Sequence, residues 1–115
     1  MADYRADESR AVFVADRGDG RLGGLLEAAT REFAEGCETG PVGYVEGGFV
    51  DEGLRRRGVG GTLVAAAEAW ARVRGYAEMA SDCTAENLVS LRAHTALGYR
   101  EAERLVHLRK LLTGA

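Results

Sequence analysis

Three consecutive arginines, Arg55, Arg56 and Arg57, run into Gly58-Val59-Gly60-Gly61-Thr62, and the combination asks for an anion. The segment that follows has helical apolar spacing, so the arginines fall at a helix N-terminus. There the macrodipole and the unpaired first-turn N–H groups already favour negative charge. Cations are misplaced at that end unless a phosphate resolves the conflict. Glycines at 58, 60 and 61 remove the side chains that would keep such a group away from the backbone donors. The competing reading is a solvated, arginine-rich turn with glycines for tight geometry. Two better-known phosphate loops are excluded. A Walker loop needs a lysine before Thr62, and the dinucleotide fingerprint needs glycine where Leu63 stands.

Carboxylates supply the second kind of chemistry. Glu46 stands in the middle of an apolar run from Val42 to Val50, where a buried, unpartnered carboxylate would be costly, so it either faces solvent or works in a cleft. Asp82 follows a short apolar run, and Glu86 lies in the first turn of the segment beyond it. Asp82 also has a plain structural use as a helix cap. His94 can exchange a proton near neutral pH, or can simply pack on its helix. Cys83 would need a lowered pKa to act as a nucleophile, and its neighbours supply no cause for one.

These residues need elements to hold them. Residues 11 to 15 read as a strand, and Asp16-Arg17-Gly18-Asp19-Gly20 as a turn. Arg21 to Arg31 is the returning strand of a hairpin. Its Gly23-Gly24 pair suggests a bulge or a close backbone approach, and Leu25 to Arg31 fits a helical turn equally well. Gly36 to Pro41 is a loop. From Val42 the alternation places Val42, Tyr44, Glu46, Gly48 and Val50 on one face and Val45, Gly47 and Phe49 on the other, with a bulge suggested after Glu46.

Leu63, Ala66, Ala67, Trp70 and Val73 give a helix over residues 59 to 74, closed by Gly75. Ala77 to Ser81 is then a short strand parallel to the one ending at Val50, because a helix connects them. Ligands of such a unit gather at the C-terminal strand ends, beside the arginines. Ser81, Asp82 and Thr84 are N-cap candidates for a second helix, which Gly98 ends. Leu105 to Leu112 reads as a final strand, with a frayed tail beyond.

At 115 residues the chain makes one small domain. Its net charge of −3 argues against a nucleic-acid binder that relies on broad phosphate neutralisation, so the arginines form a local anion site. No run approaches a membrane span, and the polar first ten residues resemble neither a signal nor a transit peptide. The expected address is the cytoplasm. Cys37 and Cys83 have no metal-ligand spacing and are expected to be reduced thiols.

The pattern Arg55-x-x-Gly58-x-Gly60 resembles the pyrophosphate loop of the GNAT family of N-acetyltransferases, which holds acetyl-coenzyme A. Asn87-x-x-Ser90-x-x-x-His94-x-x-Leu97-Gly98-Tyr99 is similar to the family's last motif, and the two occur in family order. Within the family, Glu46-Gly47-Gly48-Phe49-Val50, Glu78-Met79-Ala80-Ser81-Asp82, Glu86-Asn87 and Glu101-Ala102-Glu103-Arg104 look like aminoglycoside 6′-N-acetyltransferases.

The resemblance implies an α/β fold, the GNAT acyl-CoA N-acyltransferase fold, with a mixed and strongly twisted sheet whose central strands splay apart. Pantetheine would lie in that gap against the backbone of Phe49 and Val50. Arg55, Arg56, Arg57 and the N–H groups of Gly58, Val59, Gly60, Gly61 and Thr62 would hold the pyrophosphate. Asn87 and Ser90 match positions contacting the coenzyme arm. No metal is implied.

The implied reaction moves an acetyl group to a primary amine, an aminoglycoside 6′-amine or a similar small polyamine. It needs a neutral amine, an oxyanion donor and a proton for the leaving thiolate. Val50 N–H is the implied carbonyl polariser, and Asp82 or Glu46 the base, directly or through water. His94 stands where many members place a tyrosine as acid. Glu46, Asp82 and Glu86 would attract the cationic acceptor. A coenzyme-binding protein without turnover, and an acetyltransferase of protein or peptide amines, are the competing readings.

Residues 1 to 10 hold at most a scrap of the strand and two helices that usually open such domains, so the domain is expected to be N-terminally truncated. Those helices normally wall the acceptor site. Their absence would leave apolar sheet uncovered, which predicts a homodimer.

Overall fold

The computed structural model describes residues 2–4, 9–55 and 57–114. Its sheet has five strands in sequence order: β1 (Ala2–Tyr4), β2 (Arg10–Asp16), β3 (Leu22–Arg31), β4 (Val42–Val50) and β5 (Met79–Ser81). The first four pair antiparallel, and β5 runs parallel to β4. Sequence reading assigns no element to the first ten residues, yet Ala2–Tyr4 forms an edge strand on β2.

The β2–β3 hairpin turns where Gly18 and Gly20 take φ of 97° and 81°, and the Asp16 and Asp19 carboxylates accept from the Gly18 and Arg21 N–H groups. Leu25 to Arg31 is strand rather than helix. Ala15 pairs with Gly24 and Asp16 with Leu22, so Gly23 is the extra residue of a bulge, as the glycine pair suggested. Gly24 is a close approach: a Cβ there would meet Leu63, the Phe49 carbonyl and Val59 at 3.2–3.4 Å.

A second bulge shifts the expected faces of β4. Ala28 pairs with Val45 and Glu27 with Gly47, so Glu46 itself is the unpaired extra residue. One added residue reverses the alternation beyond it. Val45 and Val50, expected on opposite faces, therefore both pack on the cluster formed with the first helix, whereas Val42 and Tyr44 pack with Ala34 on the other side.

That first helix, α1 (Val59–Val73), buries Leu63, Ala67, Trp70 and Ala71 against Ala11, Phe13, Leu26 and Ala28. Each large side chain so buried contributes roughly 1.5–3 kcal/mol of transfer free energy. Gly75, at φ 87°, closes the helix as its position predicts.

The second helix, α2 (Leu88–Ala96), is attached differently. It has no buried residue, and its expected apolar stripe leaves Leu88 and Leu97 exposed. Polar contacts hold it instead, from His94 to Ser81 on β5 and from Tyr99, just past the helix, to Glu68 on α1. Its N-cap is Asn87, whose side chain accepts from the Ser90 N–H at 3.0 Å, and not Ser81, Asp82 or Thr84. Those three precede the turn at 85 and 86 and are too early to reach the first free N–H groups.

The strand expected over Leu105–Leu112 is not formed. Residues 101–114 carry no regular structure, and Leu105, Val106, Leu108, Leu111 and Leu112 are 66–90% exposed. A strand persists only where a neighbour takes its N–H and C=O groups, and no described strand pairs with this segment. No helix among the described residues is long and apolar enough to cross a membrane.

Candidate active site

β4 and β5 stay together for three residues and then part. Their pairing ends at Val45 and Ser81, so β4 from Glu46 to Val50 has no strand on that side. The Asp51 N–H donates to the Gly23 carbonyl while Val50 stands opposite Gly24. In an antiparallel ladder this turns the N–H and C=O of Val50 away from β3 and into the gap. By the same alternation Gly48 presents its backbone groups there and Phe49 does not. An extended ligand in the gap would therefore pair with Gly48 and Val50, rather than with Phe49 and Val50 as expected from sequence. Phe49 is half exposed on the face away from α1 and offers a side chain only.

The start of α1 lies beside the end of β4. Gly58 is its N-cap at φ 79°, a backbone state that side chains disfavour, and no side chain caps the helix. The first helical bond among the described residues runs from the Thr62 N–H to the Gly58 carbonyl at 3.0 Å, and the helix-start N–H groups of Val59, Gly60 and Gly61 have no partner among the described residues. The Thr62 hydroxyl donates to that same carbonyl at 2.9 Å, so the cradle is narrower than the sequence suggests and excludes both donors of Thr62.

Packing does not demand glycine at 60 or 61. A Cβ would sit 3.8 Å from Val50 Cγ2 at the first and 3.5 Å from Leu97 Cδ2 at the second, both ordinary contacts. What the bare positions preserve is access to the N–H groups. Arg55 is drawn back to the strand by donating from Nε to the Val50 carbonyl at 3.1 Å, and Arg57 is exposed. Arg56 lies outside the described residues.

On the face of the sheet away from α1, four side chains form one network. The Arg31 guanidinium lies 3.5 Å from the Tyr44 ring centroid and forks onto Glu46, Nε to Oε2 at 2.9 Å and Nη2 to Oε1 at 2.7 Å. The Tyr44 hydroxyl donates to Asp82 Oδ2 at 2.6 Å. Burial, with the Asp82 carboxylate as the next cause, pushes the Tyr44 pKa up to about 12. The hydrogen bond and charge of Glu46 hold the Arg31 proton more tightly than usual, against the opposing effect of burial. Asp82 and Glu46 thus stand where the two strands part, since Val45 and Ser81 are the last pair. A concavity of about 710 Å³ opens on the Glu46 side of this network, lined by Val12, Glu27, Ala29, Arg31 and Glu46 among others.

The other two candidates have no described hydrogen bond to this network. Glu86 is exposed on the turn before α2, where its charge acts on Arg104. His94 has both ring nitrogens engaged. Nδ1 lies 2.7 Å from the Ser90 carbonyl, which can only accept, so Nδ1 carries the proton in the neutral ring and Nε2 accepts from the Ser81 hydroxyl at 2.8 Å. That ring straps α2 to β5. Asn87 caps α2, and the Ser90 hydroxyl lies 3.2 Å from His94 Nδ1, so both are occupied inside the protein.

Sequence reasoning missed Arg31 and Tyr44. A signal existed for the first: a carboxylate amid apolar strand residues implies a cationic partner, and Arg31 ends the strand paired with β4. Tyr44 shares the expected face of Glu46, but its hydroxyl partner, Asp82, lies 38 residues away just beyond β5.

A sheet whose central parallel strands splay beside an anion-ready helix start defines an acyl-coenzyme A-dependent transferase fold. Comparison with known proteins agrees. The Acetyltransferase (GNAT) family model matches residues 1–99, and the chain belongs to that family. It is 39% identical over 113 residues to an aminoglycoside N(6′)-acetyltransferase type 1 of Serratia marcescens, covering 97% of this chain and 77% of that protein. It is 41% identical over 105 residues to the type 1 enzyme of Stenotrophomonas maltophilia, covering 90% and 69%. The solved structure of AAC(6′)-Iy, in complex with a bisubstrate analogue of coenzyme A and acetylneamine, superposes with a TM-score of 0.85 at 40% identity, covering 91% of this chain and 71% of that one.

Proposed function

We propose that this chain transfers the acetyl group of acetyl-coenzyme A to the 6′-amine of an aminoglycoside. The observation that carries the reading is the position of Asp82 and Glu46 at the parting of β4 and β5, on the face opposite the α1 cradle. Relatives at about 40% identity named for that reaction support the acceptor class.

Arg55, Arg57 and the N–H groups of Val59, Gly60 and Gly61 hold the pyrophosphate, with Arg56 alongside in sequence. The gap-facing backbone of Gly48 and Val50 aligns the pantetheine arm, and the Val50 N–H polarises the thioester carbonyl. Asp82, held by Tyr44, takes the proton of the acceptor ammonium directly or through a water. The freed amine attacks the carbonyl carbon, the C–S bond breaks, and the proton shed by the new amide nitrogen goes to the leaving thiolate, directly or through a water. Glu46 and Asp82 together draw the polycation to the cleft. Dependence on acetyl-coenzyme A is consistent with action in the cytoplasm.

The same reading includes a homodimer. The exposed apolar residues of 105–112 and the uncovered sheet face are surfaces that a second copy would bury. Light scattering at micromolar concentration should give twice the 12.3 kDa chain mass; a monomer mass removes this part.

Thiol release from acetyl-coenzyme A tests the function. Turnover is expected with aminoglycosides bearing a 6′-amine and not with those bearing a 6′-hydroxyl. Equal rates with both, or with neither, would overturn it.

A further inference from the structure

Arg31 occupies the cation position of the carboxylate cluster. Its N–H donors fork onto Glu46 at 2.7 and 2.9 Å, its plane lies on Tyr44, and the charge of Asp82 also acts on it. It lines the same concavity as Glu46 and Glu27. A primary ammonium entering that concavity needs the same acceptors, oxygen atoms arrayed for N–H donors.

The pair is also open to exchange. Arg31 and Glu46 keep 40% and 31% of their side-chain surface in solvent, and ion pairs so exposed are individually weak. Arg31 springs from the last residue of β3, so its long side chain can leave Glu46 without unpairing the sheet.

We infer that Arg31 is a specificity-determining placeholder: its guanidinium reserves Glu46, and an acceptor binds by displacing it with an ammonium group. Acceptors with several ammonium groups are favoured, because one can take Glu46 while another is held near Asp82. A monoamine gains too little to displace the guanidinium. This inference rests on the acceptor reading above.

The decisive variants are Arg31→Gln and the double variant Arg31→Gln with Glu46→Gln. In Arg31→Gln the acceptor no longer competes with an internal cation, so KM for a 6′-amine aminoglycoside should fall two- to fivefold, about 0.4–1 kcal/mol. The KM for acetyl-coenzyme A should stay within twofold. Discrimination between the polyamine and a monoamine such as benzylamine should narrow. Adding Glu46→Gln should abolish the gain.

A rise or no change in acceptor KM, with the melting temperature unchanged, would overturn the inference and make Arg31 a support for Glu46. A fall that survives the double variant overturns it as well. A second readout does not need turnover. In the wild-type protein the Arg31 Nε–H resonance should shift on titration with neamine, and should stay put with benzylamine. Absence of that shift sinks the placeholder, whereas absence of wild-type turnover sinks the acetyltransferase reading alone.

Discussion

The cradle at the start of α1 takes its donors from consecutive residues of one helical turn, whereas Arg31 ends β3, Tyr44 and Glu46 lie within β4 and Asp82 follows β5, so the four meet only once the sheet has paired. The first is backbone chemistry, fixed as soon as α1 forms. The second is side-chain chemistry, fixed by two registers and a bulge. Point substitutions should therefore act differently on them. At the cradle they block or loosen a ligand, while at the network they remove chemistry or free a charge.

The largest effect should fall on the network. Asp82→Asn keeps the shape of the carboxylate and removes its proton affinity, so kcat should drop about 100-fold or more, with the KM for acetyl-coenzyme A within twofold. A kcat within threefold of wild type would mean that the base lies elsewhere and that the two regions are not functionally distinct.

Arg55→Ala should do the reverse. A charge-assisted hydrogen bond to phosphate contributes about 1.5–3 kcal/mol, so the KM for acetyl-coenzyme A should rise on the order of 10- to 100-fold while acceptor KM holds. The rise should shrink as salt increases. If both KM values moved together, the separation of cradle and network would fail.

The same contrast decides what could be read before folding. The cradle was legible because glycine spacing and helix periodicity are local, and α1 and the β4–β5 pairing followed from apolar patterns of known period. Thr62 escaped because its hydroxyl bends back to Gly58, a choice that only the local geometry makes. The glycines after Glu46 marked the bulge but not which residue is extra, and strict alternation carried through it gives the wrong faces for β4 beyond that point. Tyr44 and Asp82 could not be joined in advance, since a parallel register across a helix is not written in either strand. The strand expected at 105–112 has strand-like composition, but composition supplies no partner.

Asn87 has no described hydrogen bond to either region, and its substitution separates ligand binding from scaffolding. As the cap of α2 it should contribute about 1 kcal/mol, so Asn87→Ala should lower the melting temperature by about 4 °C. Coenzyme affinity should stay within twofold, because the side-chain oxygen is already committed to the Ser90 N–H. A tenfold loss of affinity without loss of stability would return Asn87 to the coenzyme site.

The smallest effect belongs to Tyr44 and appears in the pH dependence of stability. Its pKa rises from about 10 in the unfolded chain to about 12 in the folded one, because burial and Asp82 disfavour the phenolate. Between those values the native state keeps a proton that the unfolded state has lost. Stability therefore falls as pH rises through that window, and this contribution is fully present below about pH 10. Tyr44→Phe has no such proton, so its denaturation midpoint should decline less steeply with pH across the window. Tyr99, whose pKa is also raised by burial and by Glu68, adds a slope of the same sign that the variant retains. Urea melts of wild type, Tyr44→Phe and Tyr99→Phe at several alkaline pH values resolve the two. An alkaline slope unchanged in Tyr44→Phe would show that the phenol is not held by Asp82, and would remove the link that joins β4 to β5 at the point where they part.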